Sequence, residues 1–301
     1  MNDKNVAHFD VDNFLESRLT SGEIFPFCLS IENLHKISNK DKIEIITIKS
    51  SSKIDKKLLN QFPNLKLIIT RTVGTDHIDL KACQEKKIKI MSLPDYGSEV
   101  IAEHAMALLL AGCRQIIKAN KAIHLGKFSY CDFLGISLSG KTLGVIGVGK
   151  IGLAFIKMAK GFNLKILAFD VVKNIKATKD LGFSYVSFDE LIKQSDIISL
   201  HLPLSSETHY LINKNVIDKM KDNVILINTA RGGVIDTQAL VNSIKKFRFI
   251  GLDVLEDEKN FGKFNPLLKF DNILITPHLA FYTDESLKNI ASQTLNIINK
   301  V

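Results

Sequence analysis

Arginine is scarce in this chain. Of 40 basic residues only Arg18, Arg71, Arg114, Arg231 and Arg248 are arginine. A guanidinium offers a planar, two-pronged donor that lysine cannot replace, so an arginine in a motif-like setting carries weight. Cysteine is also sparse. Cys28, Cys83, Cys113 and Cys131 are scattered, with no CxxC pair and no metal-ligand spacing. That excludes a disulfide framework and a clustered metal site, and suits a reducing cytoplasm. Glycine (17) and proline (6) are low for 301 residues, and neither an internal repeat nor a low-complexity segment is present.

Other absences narrow the class further. The opening Met1-Asn2-Asp3-Lys4-Asn5 lacks the basic segment and apolar run of a secretory signal. The most apolar stretch, Ile101 to Ile117, contains Glu103, His104 and Arg114, and is too short and too polar for a membrane span. The net charge is +8, but the lysines are spread along the chain and no run of five occurs. This reads as a basic surface that favours anionic small molecules, with no nucleic-acid partner.

With 46% hydrophobic residues and a length of about two domains, the chain can bury a sizeable core. From Leu143 onward apolar runs alternate with helical patterns. Expected strands are Leu143–Val148, Lys165–Asp170, Asp196–Leu200, Val224–Asn228, Phe249–Val254 and Ile273–Thr276. Expected helices are Lys150–Phe162, Ser187–Gln194, Lys214–Met220 and Thr237–Lys246. Such alternation implies parallel pairing and a doubly wound α/β sheet. The N-terminal part alternates too, with strands at Ile43–Ile48, Leu65–Thr70 and Lys87–Met91 and a helix at Lys53–Gln61. One long helix, Ser98 to Leu125, stands between the two regions, and an amphipathic helix, Asp284–Ile298, ends the chain. The first 40 residues have little periodicity and receive no assignment.

Two glycine-rich segments compete as phosphate loops. Gly135-Ile-Ser-Leu-Ser-Gly140-Lys141-Thr142 has P-loop spacing, but it precedes a strand instead of following one, and reads as a surface turn. Gly147-Val148-Gly149-Lys150-Ile151-Gly152 ends a strand and opens a helix, and a second strand then ends in Asp170, 23 residues after Gly147. Gly147 permits the tight turn, Gly149 the approach of a pyrophosphate to the helix N-terminus, and Gly152 close helix–strand packing. Asp170 would accept hydrogen bonds from a ribose and repel a 2′-phosphate, which favours NAD over NADP.

Three later segments put polar residues where strands end. Thr229-Ala230-Arg231-Gly232-Gly233 sets a guanidinium beside glycines, suited to clamping a carboxylate. Asp253-Val-Leu-Glu256-Asp257-Glu258 supplies acids, and Thr276-Pro277-His278 a histidine. Reducing a 2-keto acid needs a hydride donor, a cation for the carboxylate and a proton donor for the alkoxide. Arg231, His278 and one acid make up that set.

Here the sequence resembles the D-isomer-specific 2-hydroxyacid dehydrogenases, from about Leu65 to the C-terminus. The resemblance rests on Arg71-Thr-Val73-Gly74-Thr-Asp76-His-Ile-Asp79, Ala102-Glu103-His104, Gly147–Gly152, His201-Leu-Pro203, Thr229-Ala-Arg231-Gly-Gly, Asp253-Val with Glu258, and Thr276-Pro-His278. It implies a catalytic Arg231, Glu258 and His278, with Glu258 rather than Glu256 in the acid's place. It also implies cofactor contacts at Lys150, Ile151, Leu202, Pro203, Thr208, Thr229, Ala230, Arg231 and Asp253, and a second carboxylate anchor at Val73 and Gly74. The implied architecture is a Rossmann NAD-binding domain, 97–280, inserted into a flavodoxin-like substrate domain, 1–96 with 281–301. The active site would lie in a cleft between them, and a homodimer would form through the linking helix around Val100–Ile117.

Within the family, the aromatic pair Phe281-Tyr282 after His278, with Tyr96, resembles the D-lactate dehydrogenase branch. Tyr96 and Tyr282 would then line the substrate, with pyruvate the expected 2-keto acid. Phosphoglycerate, hydroxypyruvate and glyoxylate reductases are the alternatives. The chain looks short for the extra domain of phosphoglycerate enzymes. A dinucleotide-sensing transcriptional corepressor is a reading from a different class, since fold alone does not fix function.

Overall fold

A computed structural model describes residues 5–11, 13–19, 31, 37 and 39–301. Cys28 and most of the unassigned N-terminal stretch lie outside these. The chain forms two compact units, Met1–Gly97 with Tyr282–Val301, and Ser98–Phe281. Each carries a parallel sheet, and the second unit interrupts the chain of the first. The boundaries expected from sequence, 96/97 and 280/281, each stand one residue before these divisions.

In the first unit β1 (Val6–His8), β2 (Ile45–Ile48), β3 (Leu67–Thr70) and β4 (Lys89–Ser92) pair in chain order. The helices α1 (Asn13–Leu19), α2 (Lys56–Leu59) and α3 (Leu80–Glu85) accompany them. Asp55 and Asp79 cap α2 and α3 by accepting from the amides of Leu58 and Ala82. The helix expected over 53–61 is a single turn. Its first residues are drawn into extended pairing, where Ile54 bridges Ile78. Phe9, Ile46, Leu59, Phe62 and Ile68 fill the core.

The second unit begins with α4 (Ser98–Cys113) and α5 (Ile116–His124). The single helix expected from Ser98 to Leu125 is therefore wrong: the two pieces are bent by 62°. Gln115 turns left-handed at φ +51. The Cys113 carbonyl accepts from the Ile136 amide at 2.9 Å, and the Gln115 amide group donates to the Leu134 carbonyl at 2.8 Å. The first bond takes a carbonyl that the helix ladder would otherwise use, and the second ties the Gln115 side chain to the loop beyond α5.

Beyond the bend the chain alternates as expected. It runs through β5 (Thr142–Ile146), α6 (Lys150–Ala159), β6 (Lys165–Phe169), α7 (Ile175–Leu181), β7 (Ser184–Tyr185), α8 (Phe188–Gln194) and β8 (Ile197–Leu200). It continues through α9 (Lys214–Lys219), β9 (Val224–Asn228), α10 (Thr237–Asn242), β10 (Phe247–Leu252) and β11 (Ile273–Ile275). The seven strands pair in parallel in the order β11-β10-β9-β8-β5-β6-β7. The order reverses between β5 and β8, so the loops leaving these two strands diverge and open a crevice at the carboxyl edge. Both sheet faces are covered, which explains the continuous apolar strands. Leu143, Val145, Ile197 and Ile225 pack on the α4–α6 side. Ile146, Ile198, Leu226 and Ile250 pack on the other. The segment 135–142, with P-loop spacing, is a loop and turn leading into β5.

α11 (Asp284–Lys300) returns the chain to the first unit, capped by Thr283, and packs on α1. Among the described residues no single helix is long and apolar enough to cross a membrane.

Candidate active site

Every strand of the second unit points the same way, so the loops after β5, β6, β8, β9, β10 and β11 share one edge. The loop after β5 is shaped for a dinucleotide. Gly147 sits at φ +90, and a Cβ there would lie 2.4 Å from the His201 carbonyl oxygen. A Cβ on Gly149 would meet nothing within 4 Å, so that backbone faces open space. Gly149 caps α6 without a side-chain bond, whereas Asn174, Ser187, Asn213 and Asp236 cap α7, α8, α9 and α10 with theirs. A helix N-terminus with no side-chain acceptor of its own suits an anionic phosphate. Asp170, at the end of β6, accepts from the Val148 amide at 2.6 Å and the Val172 amide at 3.0 Å. It thus ties the glycine loop to its own strand end. Lys150 is exposed and Ile151 half-buried at the start of α6.

After β8, the His201 ring stacks near Phe155 at 4.9 Å and shares a 2.8 Å hydrogen bond between Nε2 and Ser199 Oγ. Its Nδ1 is enclosed without a partner, and burial pushes the ring's pKa down to about 3. Leu202 is half-buried and Pro203 exposed. Thr208, expected to touch the cofactor, bonds within its own loop. Its hydroxyl donates to the Pro203 carbonyl at 2.7 Å and accepts from the Ser205 amide at 2.8 Å, which sets the loop's shape.

The loop after β9 presents Arg231. Asn228, wholly buried, accepts from the Ala230 amide and donates to the Arg231 carbonyl, both at 2.9 Å. Asn228 is a positioning residue that sequence reasoning passed over. Its only signal was an amide side chain closing an apolar run. The Thr229 hydroxyl is buried without a partner, as a group reserved for a ligand would be.

The loops after β10 and β11 meet. His278 Nδ1 lies 2.9 Å from Glu258 Oε2, and Glu258 Oε1 accepts from the Leu255 amide at 3.2 Å. Glu256, the rejected candidate, is held by the Tyr210 hydroxyl instead. His278 has φ +52, a left-handed conformation costing a non-glycine residue about 1–2 kcal/mol. Such strain persists where surrounding bonds fix it. Phe281 stands edge-on to His278 with ring centroids 6.4 Å apart.

Asp253 differs most from expectation. In place of an open cofactor contact, its carboxylate is fully enclosed, accepting from the Thr276 hydroxyl at 2.6 Å and the amides of Leu279 and Ala280 at 3.0 and 2.9 Å. Burial raises its pKa, but hydrogen bonds from His104, Thr276 and those amides outweigh it, and the net shift is downward. The remaining expected residues belong to the first unit. Val73 is exposed and Gly74 half-buried, with its carbonyl accepting from the Thr72 hydroxyl at 2.6 Å. Tyr96 is buried and Tyr282 is half-exposed.

The chain is similar throughout its length to known enzymes. The structure of D-lactate dehydrogenase from Aquifex aeolicus, complexed with NAD and lactic acid, aligns with a TM-score of 0.88 and 37% identity, covering 98% of this chain and 94% of that one. A glyoxylate reductase of Thermococcus litoralis is 37% identical over 86% of this chain and 79% of its own. A D-3-phosphoglycerate dehydrogenase of Archaeoglobus fulgidus is 40% identical over 83% of this chain, which spans only 47% of that relative's length. The family model described as the NAD-binding domain of D-isomer specific 2-hydroxyacid dehydrogenases matches residues 106–280. The glycine loop, the uncapped α6 and the loops gathered at one sheet edge are that family's NAD-binding domain, and the chain is a member of the D-isomer specific 2-hydroxyacid dehydrogenases.

Proposed function

We propose that this enzyme reduces pyruvate, or a similarly small 2-keto acid, to the D-2-hydroxy acid. The observation that carries the reading is the 2.9 Å contact between His278 and Glu258, at the same sheet edge as Arg231 and with Phe281 edge-on to the imidazole. NADH supplies the hydride when bound. Arg231 clamps the substrate carboxylate with two parallel hydrogen bonds. His278 delivers a proton from Nε2 to the ketone oxygen as the carbonyl carbon gains hydride. Glu258, on Nδ1, orients the ring and stabilises its protonated form. In the oxidative direction His278 takes the proton back.

Gly147, Gly149, Lys150, Ile151, Gly152 and Asp170 would hold the dinucleotide, with Leu202, Pro203 and Thr229–Arg231. In this reading Thr208 and Asp253 shape their loops instead of touching it. Val73 and Gly74 are proposed as a second carboxylate anchor, and Tyr96 and Tyr282 as substrate contacts. An aromatic ring beside the proton donor favours a small, partly apolar substrate over a phosphorylated one. The test is a panel of 2-keto acids with NADH and with NADPH, followed by cofactor absorbance. Pyruvate with NADH should give the highest kcat/KM, since Asp170 disfavours a 2′-phosphate. Preference for glyoxylate, hydroxypyruvate or a phosphorylated acid would overturn the substrate assignment. No turnover at all would favour the corepressor reading.

A cytoplasmic homodimer is part of the same proposal. The free thiols of Cys83, Cys113 and Cys131 support the compartment, which cell fractionation would test. We place the dimer surface beyond the stretch expected around Val100–Ile117, because Ile101, Ala102, Met106, Leu108 and Leu109 of α4 are buried. The exposed apolar residues begin at Ile116 and include Ile117, Ile123, Leu125, Phe128 and Tyr130.

A further inference from the structure

His104, on α4, is far in sequence from every catalytic candidate, yet its Nε2 lies 3.0 Å from Thr276 Oγ1 and 3.4 Å from Asp253 Oδ1. The Thr276 hydroxyl has one proton and stands 2.6 Å from Asp253 Oδ1, so it donates there and accepts from His104. The Asp253 carboxylate grips the amides of Leu279 and Ala280, and its backbone carbonyl accepts from the His278 amide at 2.8 Å. A chain of hydrogen bonds thus runs from α4 through Thr276 and Asp253 to both sides of the left-handed His278. A buried carboxylate must be fully partnered, and the Thr276 hydroxyl, itself held by His104, supplies the remaining donor.

We propose that Thr276 and His104 are positioning residues for the proton donor, acting through Asp253 to hold the backbone of 278–280 and so the direction of the His278 ring. The inference rests on the proposed role of His278 as acid. Removing the Thr276 hydroxyl leaves the Asp253 carboxylate a donor short in the interior. The loop should then lose its single conformation while Arg231 and the glycine loop stay in place.

The test uses the full-length enzyme labelled with 13C at histidine Cε1, together with kinetics. The chain has eight histidines, and His278→Ala identifies the His278 signal. In Thr276→Val that signal should broaden or move, whether or not a substrate has been found. The single-turnover rate should fall at least about tenfold, the 2-keto acid KM should change less, and NADH affinity should be unchanged. Thr276→Ser should restore both signal and rate. His104→Ala should give a smaller loss of the same pattern, and adding it to Thr276→Val should cost little more. An unaltered His278 signal in Thr276→Val would overturn the proposal. So would a loss confined to NADH affinity, which would return the Asp253 carboxylate to the nucleotide. A His278 signal perturbed in Thr276→Val as described, together with full turnover in His278→Ala, would instead refute the proposed function.

Discussion

Glu258 and Glu256 are two residues apart in an acidic run, and their side chains have different fates. One reaches His278, the other is held by Tyr210. Replacing Glu258 by Gln keeps the size and an acceptor oxygen but removes the negative charge that favours imidazolium. Glu258→Gln should therefore lower the rate of reduction by about tenfold or more, because the charged partner that fixes the His278 ring at Nδ1 is gone, while NADH affinity stays unchanged. A wild-type rate in Glu258→Gln would exclude the pairing. Residue types at strand ends were legible in the sequence, and the structure sets one such pair, Glu258 and His278, in contact. Hydrogen-bond partners were not legible. The Asp253 carboxylate meets Thr276, Leu279 and Ala280, while Thr208 and Asn228 bond backbone groups of their own loops, a choice that residue type alone does not encode.

Elements show a similar division. Buried central strands announce themselves as apolar runs, and Val224–Asn228 matches its expected span. The two-residue β7 is too short to leave a pattern. The bend between α4 and α5 carries no glycine or proline at its left-handed residue, and bonds from 134 and 136 decide it. That bend matters for assembly, because it turns α5 out of the core and leaves Leu125 and Phe128 exposed. Contiguous exposed apolar surface marks an interaction site. If a second copy covers it, Leu125→Glu with Phe128→Glu should convert the dimer to monomer in sedimentation velocity while the fold persists. A wild-type protein that sediments as a monomer at micromolar concentration would remove the proposal.

The whole molecule has a built-in sensitivity to acid. Burial, then the charge of Arg71, push the His8 pKa down to about 4, and burial takes His201 to about 3. Each ring in the unfolded chain takes up its proton near 6.5. Between that value and the folded pKa the unfolded state binds the proton that the fold refuses. The stability present above pH 6.5 is therefore lost as pH falls, by up to about 1.4 kcal/mol per pH unit for each histidine. Urea midpoints should drop from pH 7 to pH 5, and His201→Asn should flatten the trend. A midpoint independent of pH over this range would show that the rings take up protons equally in the folded and unfolded states.

The sheet order and the interrupted first unit also bear on how the protein is made. A ribosome delivers β1–β4 long before α11, whose buried Leu287, Ile290 and Ala291 belong to the same unit as α1. The whole of Ser98–Phe281 emerges in between. The module synthesised in the middle can therefore finish folding before the one that was started first. Until α11 emerges, the nascent chain carries an incomplete partner domain with part of its apolar surface uncovered. Loss of α11 should therefore harm the first unit far more than the removal of 17 residues would suggest, while the module made before it stays folded.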